Sequence, residues 1–474
     1  MMGTIMKRPI VALITIAPVV GAQQVVPARP ATPAAQSFTF PRVQSHKLPN
    51  GLRVLIVEDH SVPVVAVRAV LGVDEMFDPA GKEGTYQLML GALREGTVSR
   101  TPEQIAEVSA KIGTPVSPTA LTTTPAALDG SLELMGDMLM HPSFPQAGIE
   151  RRKGTQSASF RGILLRPATP AKNLFYALLD GRDDPYTRSL YANEQGVAAI
   201  TRDDVMAFYD EHVGPGNTTI IIVGDETDAN ALAIAKRVFG GWTKTANVPA
   251  RPASAAPPVK PTTIYLLDVP GAATGYVYVG NAGPARLAPD AFATEMASTI
   301  AANRFVAALR EKRSLMYTGA ITIFWRPAPR NSEFFGYTNI APQKVDSALV
   351  EWISVLRGLR GENPPTATEL EIAKRARVGP LWTRTDGPDS VATRMAEAVR
   401  DNLRPDFLQA YAAGVTTATL QGVTAAMSKY VDIDHLVIVV SGDRKVLEPA
   451  LRATRIAPVV VVDGNGKPIA NATP

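Results

Sequence analysis

The sequence has no cysteine among its 474 residues. That excludes disulfides, thiolate nucleophiles and every metal site built on cysteine sulfur. It suits an oxidising compartment, where nothing can mispair. Histidine is also scarce. The five are His46, His60, His141, His212 and His435, and no His-x-x-x-His pair exists to hold a metal from one helix face. There is no G-x-S-x-G elbow, no P-loop and no G-x-G-x-x-G fingerprint. Net charge is only +4, and setting aside Lys7 and Arg8 leaves about +2. So small an excess argues against nucleic acid or an anionic membrane surface as a partner. No apolar run reaches the ~20 residues that span a bilayer.

What is present is the composition of a globular protein, 46% hydrophobic and 19% charged. The length predicts two domains of about 200 residues. Residues 1–22 read as a secretory signal peptide, with Lys7 and Arg8 before a short apolar core and Val20-Gly21-Ala22 as the cleavage site. Residues 23–45, rich in Pro and Ala, read as a flexible lead-in. A first domain is expected over 46–247. A proline-rich linker follows at 248–262, with Pro249, Pro252, Pro257, Pro258 and Pro261. A second domain is expected over 263–457, and the tail 458–474 adds a strand and a turn.

The two halves repeat one pattern. Each opens with two β-rich runs, near 52–57 and 62–73 and again near 263–267 and 275–279, expected to be antiparallel neighbours. Each closes with a helix, an apolar strand and a Gly-Asp pair, Gly224-Asp225 and Gly442-Asp443. A repeat on this scale means duplicated domains. Strands in sequential pairs beside long helices predict an α+β fold, with mainly antiparallel sheets and helices packed on one face.

Gly84 to Thr97, GTYQLMLGALREGT, reads as a helix opening and closing on glycine. It resembles the metal-binding helix of the pitrilysin/insulinase family, the inverzincin metallopeptidases. The family's H-x-x-E-H places two imidazoles on one helix face and a base between them. Those slots hold Gln87, Leu90 and Gly91 here. The family's third ligand lies downstream of a Glu-Arg pair; Glu150-Arg151 matches the pair, and the ligand slot falls on Ser157. The resemblance therefore implies a family frame with a vacant zinc site, and no metal bound by this chain.

The second half carries NRFVAALREKRSLMY, Asn303 to Tyr317. This resembles the family segment R-L-x-x-x-L-R-E-x-x-G-L-x-Y, whose Arg and Tyr bind substrate and the developing oxyanion. Arg310 and Tyr317 match those two positions, and Ser314 replaces the family glycine. From the residues alone, the basic run is a solvated helix end whose cations complement the dipole, and Tyr317 begins a half-buried strand. From the resemblance, Arg310 and Tyr317 act in trans. Asp184-Pro185-Tyr186, Phe239-Gly240-Gly241-Trp242 and the helix from Thr368 to Lys374 extend the likeness over most of the chain. What it implies is a non-catalytic, periplasmic subunit, half of a clamshell, that pairs with an H-x-x-E-H homologue carrying the zinc to cleave peptides. The alternative is an inactive peptide-binding or scaffold protein of the same fold.

Overall fold

The computed structural model describes residues 37–246 and 257–469. The expected signal peptide 1–22 and residues 248–256 of the expected linker lie outside them. Two sheets organise the rest. The first holds β1 (Gln44–Lys47), β2 (Arg53–Glu58), β3 (Val65–Leu71), β4 (Ala120–Thr123) and β5 (Thr218–Gly224), in the order β1-β2-β5-β3-β4. The second holds β6 (Thr263–Asp268), β7 (Gly275–Ala285), β8 (Thr318–Phe324), β9 (Asn331–Ile340), β10 (Val437–Gly442) and β11 (Val459–Val462), in the order β11-β6-β10-β7-β9-β8.

The α+β class and its duplication are as expected, but the strand order corrects one detail. β2 and β3 are not neighbours. β5 lies between them, parallel to β2 and antiparallel to β3. In the second half β10 separates β6 from β7 in the same way. The reason is burial on both faces. Every residue of β5, Thr-Thr-Ile-Ile-Ile-Val-Gly, is buried, and only the centre of a sheet covered on both sides accepts such a strand. Both sheets are therefore mixed. The first has one parallel pairing; the second has two, because β11 also joins β6 in parallel.

Gly224 and Gly442 end the two central strands with φ of 142° and 155°. A side chain at Gly224 would run into the Val64 carbonyl, and one at Gly442 into Leu447. The repeated glycine is thus a backbone requirement met twice.

Helices cover both faces of each sheet, not one. Along β2 and β5 the pleat sends alternate residues to opposite sides. Val54, Ile56, Ile220 and Ile222 pack on the first half's own helices, with Leu88, Leu132, Met135 and Phe239. Leu55, Val57, Ile221 and Val223 pack on Val391, Ala392 and Met395, which belong to a helix of the second half, Pro388–Arg400. The exchange is reciprocal. The first half's helix Thr169–Asp180 lays Leu174, Phe175 and Tyr176 on the outer face of the second sheet, against Leu267, Tyr278, Phe335 and Val439.

Residues 37–45 of the expected flexible lead-in are ordered. Ordered structure precedes His46, because Phe38 and Phe40 are buried in the same cluster as Val391 and Met395. Gln409 fixes this segment through both backbone groups: Phe40 N–H donates to its Oε1 at 2.8 Å, and its Nε2 donates to the Phe38 carbonyl at 3.3 Å. Phe38 also stands edge-on to Trp382, with ring centroids 5.5 Å apart.

Candidate functional site

The helix Thr85–Ala92 begins after Gly84, whose φ of 107° is open to glycine. Its first donors are taken by one carboxylate. Asp78 accepts from Gly84 N–H and from Tyr86 N–H, each at 2.7 Å. Burial pushes the Asp78 carboxyl up to about 7, against the pull of those two donors. Leu88, Met89 and Ala92 face the core. That leaves Gln87 exposed and Leu90 and Gly91 half-exposed.

The helix Gln146–Leu164 packs against this one, and its side chains fill the space. Gln156 Nε2 donates to the Gly84 carbonyl at 2.9 Å. The aliphatic stem of Arg152 lies over Gly91; a Cβ there would stand 3.3 Å from Arg152 Cδ. Arg152 and Arg151 both close on Glu95, at 2.5 and 2.6 Å, and the Glu95 side chain is only 8% exposed. Ser157 sits half-buried on the same helix. An amide, an alkyl chain, a bare backbone, a hydroxyl and an overlying guanidinium do not fit a zinc ion, which needs imidazole or carboxylate donors. The histidines are dispersed, each beside its own acid: His46 with Asp228, His60 with Asp225, His141 with Asp137, His212 with Glu211 and His435 with Asp432. Among the described residues no three His, Asp or Glu side chains converge as a metal set.

In the second half, the helix Ala291–Val306 widens into a π-turn over Ala307–Lys312. Phe305 and Leu309 remain buried, with Phe305 4.5 Å from the Trp352 ring. Arg310 is turned to solvent. The turn closes through Ser314 N–H to the Arg310 carbonyl at 3.2 Å and Leu315 N–H to the Leu309 carbonyl at 2.7 Å. Closure puts Ser314 at φ 50°, a left-handed conformation that explains a glycine at this point of the family segment. Tyr317 follows, 80% exposed, directly ahead of β8. Neither Arg310 nor Tyr317 has a side-chain hydrogen bond, ion pair or ring contact among the described residues. Arg304, in the same segment, is structural: it grips Glu369 through two bonds of 2.7 Å. That grip, led by the Arg304 bonds, pulls Glu369 down to about 2.

Sequence reasoning missed a buried ionic network where the exchanged helix meets the second sheet. Arg330 pairs with Asp184 at 2.6 Å, both almost fully buried. Arg326 bridges Glu333 at 2.7 Å and Asp180 at 3.2 Å. Burial pushes Glu333 up to about 8, and the Asp180 carboxylate adds to the shift while Arg326 opposes it. The signal was the pair of arginines in Arg-Pro-Ala-Pro-Arg, Arg326 to Arg330, beside an acid inside the apolar run of β9.

Likeness to known proteins bears on the family. The peptidase M16 inactive domain matches residues 199–377. That inactive-domain match is consistent with a non-catalytic member of the pitrilysin/insulinase family, peptidase M16. An uncharacterized zinc protease of Rickettsia felis is 22% identical over 203 residues, 41% of this chain and 48% of that relative. The match thus spans about half the length of that curated relative. Among solved structures, a peptidase M16 inactive domain from Pseudomonas fluorescens superimposes with a TM-score of 0.75 at 22% identity, covering 85% of this chain and 98% of its own. A protease from Helicobacter pylori gives 0.73 at 17% identity, with 85% and 100% covered. The first half of the periplasmic protease PqqL from Escherichia coli gives 0.69 at 14% identity, with 88% and 97% covered. These structures share the fold. The M16 inactive-domain match includes Arg310 and Tyr317 and lies outside the helix Thr85–Ala92. In M16 terms the chain is a non-catalytic, peptidase-like protein.

Proposed function

We propose that this protein is the substrate-holding subunit of a two-chain zinc peptidase of the periplasm. A homologous chain bearing H-x-x-E-H holds the zinc. This chain contributes Arg310 and Tyr317 from the opposite wall. The observation that carries the reading is the contrast between two sites in one chain. Gln87, Leu90, Gly91 and Ser157 lack metal donors and Arg152 overlies Gly91, whereas Arg310 and Tyr317 are exposed without side-chain partners among the described residues. Arg is a permanent cation with a fork of donors for carbonyl oxygens, and Tyr is a neutral donor. Aimed at a carbonyl polarised elsewhere, the pair would stabilise charge that develops in the transition state. Tyr317 also leads into β8, the edge of the second sheet. An extended peptide added there would register along the strand beginning one residue beyond Tyr317. The periplasmic assignment draws on the signal-like residues 1–22, the lack of cysteine and the periplasmic solved relative.

The test is peptide hydrolysis with zinc supplied throughout. The chain alone is expected to be inert. Co-expressed with an H-x-x-E-H homologue it is expected to form an active pair. Arg310→Ala or Tyr317→Phe in that pair should lower turnover about 10²-fold, the usual loss for one oxyanion donor. A pair that associates yet is indifferent to both substitutions removes the catalytic role. A chain that never associates with such a homologue leaves a scaffold protein of the same fold.

A further inference from the structure

A second site lies in the second half, in a cavity of about 250 Å3 among the helices Ala291–Val306, Ala367–Val378, Pro388–Arg400 and Phe407–Thr417. Five arginines line it, Arg286, Arg377, Arg384, Arg394 and Arg400, against three acids, Glu295, Glu397 and Asp401. The acids are already engaged. Glu295 accepts from Trp325 Nε1 at 2.7 Å and pairs with Arg377 at 3.4 Å. Glu397 binds Arg394 NH1 at 2.6 Å, and Asp401 neighbours Arg400 at 3.9 Å.

Two buried guanidinium N–H groups are left over. Arg286 lies 5.3 Å from the Trp325 ring and 5.2 Å from the Phe407 ring, and it has no ion pair among the described residues. Its Nε–H is buried without an acceptor, and so is Nε–H of Arg394. A guanidinium cannot shed its charge, so burying one without an anion in contact carries a penalty that a bound oxyanion would remove. Trp325 and Phe407 hold the Arg286 plane by cation–π contact and leave its N–H edge free to donate.

We infer that this cavity binds a small oxyanion, inorganic phosphate or the carboxylate of a small organic acid, through Arg286 and Arg394. None of Gln87, Leu90, Gly91, Ser157, Arg310 and Tyr317 lines it, so it is independent of the peptidase reading.

The experiment titrates the full chain with sodium phosphate and, separately, with succinate at constant ionic strength, read by calorimetry and tryptophan fluorescence. One of the two anions is expected to saturate with a Kd below about 1 mM. Which one saturates identifies the source. Arg286→Met should weaken that binding at least about tenfold, the loss of one charge-assisted bond. Should Arg286→Met fail to fold, Arg394→Lys, which removes the second free Nε–H, reads the same contact. No saturation up to about 10 mM of either anion, a range covering weaker than millimolar affinity, overturns the inference. Unchanged affinity in the folded arginine variants overturns it equally.

Discussion

Phe175→Ala tests whether the reciprocal helix exchange holds the two halves together. Phe175 belongs to the first half in sequence, yet its ring is fully buried on the second sheet. It lies 5.6 Å from Tyr176, 5.9 Å from Tyr278 and 5.6 Å from Phe335. Truncating a buried Phe costs about 3–5 kcal/mol, and the lost ring pairs place this one near the top of that range. Whole domains are stable by only about 5–15 kcal/mol, so the variant should lose a large share. The assay is urea unfolding of a chain in which Trp352 is the one remaining tryptophan. Trp352 is buried in the second half's own core, on the sheet face opposite Phe175. The Trp352 midpoint should fall by about 1–2 M for an m-value near 3 kcal/mol/M. Far-UV circular dichroism should fall in the same transition. A loss under about 1 kcal/mol would refute the coupling, since a buried Phe cannot be removed so cheaply from a packed face. So would a shift seen by a tryptophan kept at position 242 and not by Trp352.

Other expectations follow from the two sites and the buried network. Ser314→Gly should stabilise the chain by about 0.5–1 kcal/mol in thermal unfolding, because relief of the left-handed backbone exceeds the added unfolded-state entropy. Gln87→His, Leu90→Glu and Gly91→His together should not confer zinc binding by calorimetry, because Arg152 overlies position 91 and Ser157 offers no carboxylate; adding Arg152→Ala and Ser157→Glu should. Glu333 is held protonated well above its ordinary range, so between pH 4.5 and about 8 the folded state keeps a proton that the unfolded chain has released. Stability should therefore fall as pH rises through that window, at up to about 1.4 kcal/mol per unit for this group. Glu333→Gln should flatten that slope in urea titrations at stepped pH.

The sequence made the duplication plain because strand runs, the closing helix and the Gly-Asp turn recur in order. The identities Gln87, Leu90 and Gly91, none of them a metal donor, need no coordinates either. Strand order was less legible. Ile220, Ile221 and Ile222 mark a strand buried on both faces, but nothing local says that β5 enters between β2 and β3. The exchanged helices were invisible for a similar reason. Val391 and Met395 mark an apolar helix face, and periodicity cannot name the sheet it will cover. Arg152 over Gly91 was unreadable because the contact joins two helices through space. The pairing of Phe38 and Phe40 carried a short alternating signal that the surrounding prolines and alanines obscured.

The helix Pro388–Arg400 also sets an order of events during synthesis. The first sheet is complete once Gly224 has left the ribosome, yet one apolar face of β2 and β5 stays bare until residues near 400 emerge. Domains ordinarily fold as units, N-terminal first. Here the first half cannot finish alone, and its uncovered Leu55, Val57, Ile221 and Val223 offer a sticky surface throughout that interval. A nascent chain arrested just after Phe239 is therefore a natural client for a holding chaperone, and release at full length is when the grip should end.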